Sequence, residues 1–201
     1  MTYDEVKTNF RQILNRTDIT DALTVTFLNF AITRAQRELR TPPQENLASI
    51  TTTTGFTYLP TPADFIKPIA VTVNGMNVAY IPPQTFFELT PVSSSQPAYW
   101  TRVGANIYFN PNPLDGSSIS FFYYGQFAPF TTGAQSTVLS TIAPDLIIYG
   151  ALSYASDYYL DERGSAFEQR FQEIKQHLQD QSYDADGPGV MQPAYAFPSD
   201  E

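Results

Sequence analysis

The chain has 201 residues, 42% of them hydrophobic and 14% aromatic, with 20 acidic against 11 basic side chains and no cysteine. A chain of this length buries one sizeable core, or one core with a smaller module beside it. The missing cysteine excludes disulfides, thiolate nucleophiles and cysteine-bound metals, and a net charge of −9 argues against general binding to nucleic acid, which rests on cations meeting phosphates.

The charge is unevenly placed. Residues 1–40 hold six bases and five acids, residues 41–140 two bases and four acids, and residues 141–201 three bases and eleven acids. The opening stretch MTYDEVKTNF has charges and no apolar run, unlike a signal peptide, and nowhere do about 18 uncharged apolar residues follow one another. The expectation is a protein that stays in the cytosol, or in something assembled there, with no membrane contact.

In chain order, Thr2 and Glu5 fit a capping box, and Val6, Phe10, Ile13 and Leu14 follow at helical spacing. Leu23, Phe27, Phe30, Ala31 and Ala35 repeat the pattern in a second helix, which Pro42 and Pro43 stop near Arg40. From residue 47 the period becomes two and turn residues multiply. IAVTVNGMNVAY predicts a hairpin about Asn74-Gly75, with Val73 opposite Met76, Val71 opposite Val78 and Ile69 opposite Tyr80. YWTRVGANIYF predicts a second hairpin about Gly104, and Asp115-Gly116 turns the chain into SISFFYYG, with Pro111 and Pro113 placing that connection at a sheet edge.

Helix returns at Pro144 to Asp161, apolar almost all round and carrying Gly150, Ala151 and Ala155, which predicts burial on more than one side. Ser165 and Glu168 fit another capping box, ahead of a stripe of Phe167, Phe171, Ile174 and Leu178 in a helix ending near Asp180. The sequence thus predicts an α+β fold in four parts. An N-terminal helix pair (1–42) and a C-terminal helix pair (141–182) form one bundle, an antiparallel β-rich region (43–140) is inserted between them, and an extended arm (183–201) follows. No internal repeat of 20 to 50 residues is visible.

Chemistry is sparse. His177 is the only histidine and sits on a charged helix flank. Asp157, Asp161 and Glu162 could hold a divalent cation or simply form a solvated helix end, and no loop of alternating oxygen ligands accompanies them. Asp64 and Glu88 are loop acids in an uncharged region and leave open a glycosidase pair or a pair of turn caps. No phosphate-binding loop, dinucleotide fingerprint or nucleophile elbow is present. The expectation is therefore no catalytic residue, no cofactor and no metal.

What remains points to partners. Arg34, Arg37 and Arg40 share a face at the end of the second helix, fitting either a solvated face favoured by the helix dipole or a docking face for an acidic protein. Trp100, Tyr108, Tyr123 and Tyr124 belong to a set of rings that occupies both faces of neighbouring strands, more than one core face accepts. Burial against another subunit, two-layer packing within the chain and stacking on sugar are the alternatives. In the arm, Val190, Met191, Tyr195 and Phe197 lie among Pro188, Pro193 and Pro198, as in an extended segment laid along a partner's groove.

Four segments in fixed order, YLPTPADFIKPIAV, QPAYWTRVGANIYFNPNP, ISFFYYG and APDLIIYGALSYASDYYLDERGSAFEQRFQEIKQHL, carry a resemblance. Over about residues 1–182 the chain resembles the head-to-tail adaptor proteins, also called connector or head-completion proteins, of short-tailed phages. The resemblance implies a helical bundle with a β-rich insertion and a structural virion protein without catalysis. It further implies a dodecameric ring of adaptor subunits that docks beneath the portal ring and receives the tail nozzle or tail fibres. DNA would only pass through the lumen. The other reading is a glycan-binding or glycan-cleaving β module of a phage tail, working through Asp64, Glu88 or Trp100.

Overall fold

The computed structural model describes residues 1–90, 93, 95–131 and 133–185, and side chains as far as Ser182. The fold is α+β. Six helices and eight strands occur among the described residues, and no helix among them is long and apolar enough to cross a membrane. The chain divides into two compact units, residues 1–43 with 127–201, and residues 44–126.

The first unit is helical. α1 (Tyr3–Leu14) starts at Thr2, whose hydroxyl accepts from the Glu5 amide while the Glu5 carboxylate accepts from the Thr2 amide at 2.8 Å, and it buries Val6, Phe10 and Leu14. α2 (Asp21–Glu38) is capped by Thr20 and buries Phe27, Leu28, Ala31, Ile32 and Ala35. Phe30, expected inside, is half-exposed, because the buried stripe is centred on the Phe27, Ala31 and Ala35 row. The short α4 (Val138–Ile142) precedes α5 (Pro144–Tyr159), which packs against α1, α2, α4 and α6 (Gly164–Ala185). α5 is thus buried on several sides, as its apolar circumference requires. Gly150 marks the tightest approach, since a Cβ there would stand 3.0 Å from Ala31 Cβ and 3.1 Å from the Phe171 ring.

Two expectations change here. The expected box at Ser165 and Glu168 is absent, because α6 begins at Gly164 and the Glu168 carboxylate turns to Arg34. Residues 127–140 belong with the helices rather than with the insertion. Phe127, Phe130 and Leu139 join the helical core, and the Tyr3 and Asp4 amides donate to the carbonyls of Gln135 and Gly133.

The second unit has two four-stranded sheets. The first has the order β1 (Glu45–Thr51), β8 (Ser118–Gly125), β3 (Phe65–Val73) and β4 (Met76–Asn77). The second has the order β2 (Leu59–Pro60), β7 (Asn106–Asn110), β6 (Tyr99–Val103) and β5 (Ala79–Tyr80). One core of Val71, Val73, Ile119, Phe121 and Tyr123 from the first sheet, with Leu59, Trp100, Ile107 and Phe109 from the second, holds them together. α3 (Pro83–Glu88) lies against β6.

The Asn74-Gly75 turn forms as expected, with positive φ at both residues, 52° and 78°. Those angles suit the right-handed twist of a two-residue hairpin and favour asparagine and glycine. Val73 pairs with Met76 and Thr72 with Asn77, and the Val78 amide donates to Val71. Beyond that the hairpin stops, and Ile69 does not oppose Tyr80. β5 leaves to pair parallel with β6, while on its other side β3 continues along β8 with a register shift between Pro68 and Ala70. The connection through Pro111 and Pro113 also runs differently. β7 and β8 are interior strands of different sheets, so it passes from one sheet to the other instead of along an edge.

Candidate functional site

The three arginines have different surroundings. Arg34 donates to both Glu168 oxygens at 2.8 and 2.6 Å, to Glu38 at 2.9 Å, and lies 4.2 Å from the Phe171 ring centroid. Ser153 and Gln172 also donate to Glu168, and Lys175 donates to Glu38 at 2.7 Å. This forked pairing holds α2 to α6. The Arg34 hydrogen bonds bring the Glu168 carboxyl down to about 2, against its own burial. Burial raises the Glu38 carboxyl, but hydrogen bonds from Lys175 and Arg34 outweigh it and leave it below the usual range. Arg40 folds back onto the Gln36 and Leu39 carbonyls at the end of α2. Arg37 reaches the Thr33 carbonyl and is exposed, so its charge faces outward.

The aromatic set divides by strand parity. Trp100 is 4% exposed within the sheet core, its ring 4.9 Å from that of Tyr80, which leaves no free face for a sugar to stack on. Tyr123 is also buried, stacked on Phe121, and its hydroxyl donates to Asp64 Oδ1 at 2.9 Å. Asn46 donates to the other Asp64 oxygen at 3.0 Å, so this acid is an acceptor for two neighbouring groups. Tyr108 lies on the opposite face, beside Tyr58 and Phe87 and only partly buried, which places α3 over the outer face of the second sheet.

The outer face of the first sheet is open. Leu47, Phe122 and Ala70 lie in register across β1, β8 and β3, with Leu47 57% and Phe122 37% exposed. Ser49, Ser120 and Thr72 form the next row, and Glu45, Tyr124 and Lys67 the row on the other side. The face thus carries an apolar bar bordered by hydroxyls on one side and charges on the other.

A second apolar feature lies in the helical unit. A cleft of about 270 Å³ is lined by Leu39, Phe127, Leu139, Ile142, Leu178 and Ser182, with no charged side chain on its walls.

Among the described residues no three of His, Asp and Glu come together as a metal site. Asp161 is held by Arg163 at 2.6 Å, which brings its carboxyl down to about 2. Arg163 in turn donates to the Ile13 and Leu14 carbonyls, closing the C-terminal end of α1. Sequence alone missed this role of Arg163. A cation four residues after a helix and next to an acid could point to many carbonyls, and only the fold selects these. Glu88 ends α3 on the surface, and His177 is exposed on α6. Val190, Met191, Tyr195 and Phe197 lie outside the described residues.

The helical unit is clamped by internal ion pairs, and the sheet unit carries an exposed apolar bar. The model of the SU10 adaptor protein family matches residues 1–192. The chain belongs to that family and is a phage head-to-tail adaptor, a structural protein of the virion. Among curated proteins, none matches its sequence.

Proposed function

We propose that the protein assembles into a homo-oligomeric ring, a dodecamer, that docks beneath the portal ring and forms the platform to which the tail nozzle or tail fibres attach. The observation that carries this reading is the family match over residues 1–192. The Leu47, Phe122 and Ala70 bar supplies a surface for the neighbouring adaptor subunit, with the partly exposed Tyr108 and Tyr124 beside strands of the same unit. Arg37, turned outward, suits an acidic partner. DNA passes through the lumen without being held, and the net charge of −9 keeps its phosphates from adhering. In the assembled ring the arm with Val190, Met191, Tyr195 and Phe197 docks on the portal or a neighbouring subunit.

Negative-stain imaging of the purified chain, alone and mixed with its portal, tests the reading. The expected outcome is monomers alone and capped rings in the mixture. A mixture in which portal rings stay bare would overturn it.

A further inference from the structure

From the uncharged cleft in the helical unit we infer that the free chain seats its own C-terminal arm there, with Val190 and Met191 as the anchors. The inference concerns the chain before assembly and does not depend on the portal reading. Three observations converge. The first is position: Ser182, three residues before the end of α6, is itself part of the cleft wall.

The second is reach. From Leu178, also on the wall, to Ala185 the helix rises about 10 Å. Residues 186–190 span at most about 16 Å, and with part of that length spent on the reversal the chain still returns to the level of Ser182, only about 4.5 Å of helix back from Ala185. Gly187-Pro188-Gly189 is the turn sequence that such a reversal needs, and it stands where the helix has to be left.

The third is matching chemistry. Val190 to Pro198 contains no charged residue, although the 61 residues from 141 onward hold eleven acids. The cleft wall is equally free of charge, and Ile142 on its rim is 49% exposed with apolar surface to cover. Tethering raises the effective concentration of the arm to the millimolar range, so a contact too weak between separate molecules still fills the cleft. Arm and cleft cover each other's apolar surface, and the arm must leave before it can engage another protein.

The absence of cysteine makes the test direct. Ile142→Cys with Met191→Cys in the full chain holds two thiols within bonding reach when the arm lies in the cleft, whereas a free arm brings them together only in passing. Asp157→Cys with Met191→Cys, at the far end of α5, is the control. The expected result is an intrachain disulfide forming at least ~10-fold faster in the first pair than in the control, at a rate independent of protein concentration. Equal rates would overturn the inference. So would covalent dimers whose yield rises with concentration, which would make the occupant a second copy's arm.

Should the cysteine variants fail to fold, amide exchange on the unmodified chain and on Val190→Asp/Met191→Asp decides. Protection of residues 138–143 should fall about 10-fold in the double variant. Unchanged protection would show that the cleft is not filled by the arm.

Discussion

Arg34 sits between two carboxylates and an aromatic ring, and Glu168 accepts from Arg34, Ser153 and Gln172 at once. A carboxyl titrating at about 2 when folded, against 4.5 as its ordinary value, favours the fold wherever it is ionised. That contribution is complete above about pH 4.5 and disappears as the pH falls towards 2. Glu168→Gln is expected to cost about 1–2 kcal/mol at pH 7, after allowing for solvent screening of a partly exposed pair. It should also flatten the loss of stability between pH 4.5 and 2, and urea unfolding at several pH values checks both. Gly150→Ala probes the neighbouring contact. The added methyl gains about 1 kcal/mol in helix propensity, but it meets Ala31 and Phe171 at 3.0 and 3.1 Å, where overpacking costs about 1–3 kcal/mol. A lower thermal midpoint is expected. A raised one would mean that α2 and α6 yield easily at this point.

At the scale of elements, the helices were legible because their signals are local. The Thr2 and Glu5 box, the Phe10 and Leu14 stripe and the small residues of α5 each depend on neighbours within one or two turns. The double sheet was only half legible. Strand parity foretold Val71 and Val73 as core and Asn74-Gly75 as the turn, but it could not foretell that the chain changes sheets after Asn77, since parallel pairing with β6 is decided about twenty residues later. Trp100 and Tyr123, expected at a partner surface, are core residues. Leu47, which drew no notice as a single apolar residue, forms the exposed bar with Phe122, one of the rings of the aromatic set, once β1 and β8 pair in register. Likewise Glu168 fitted a cap by spacing, whereas its partner Arg34 lies 134 residues away in sequence. Leu47→Glu, on this open face, should change folding stability by no more than about 0.5 kcal/mol. Ring formation with the portal should fall steeply in the same variant, and imaging beside a melting curve separates the two effects.

For the whole molecule, function was legible through the order of four motifs rather than through any reactive group, as suits a protein whose task is contact. The arm is its most direct handle. A chain ending at Asp186 should still fold, melting slightly lower because the cleft loses its cover, yet complete the collar on the portal poorly, while unchanged portal affinity would remove the arm from assembly. The incoming and outgoing strands of the sheet unit are neighbours, with Glu45 opposite Tyr124, and Pro43 and Phe127 line one cleft in the helical unit. Each unit therefore closes on itself where the polypeptide crosses. Joining residues 43 and 127 by a short glycine-serine link should leave a helical protein that melts cooperatively, and residues 44–126 should fold as a separate piece. Genetic recombination between phages could then exchange the whole sheet unit through two nearby junctions, altering the neighbour it recognises while the helical frame stays in place.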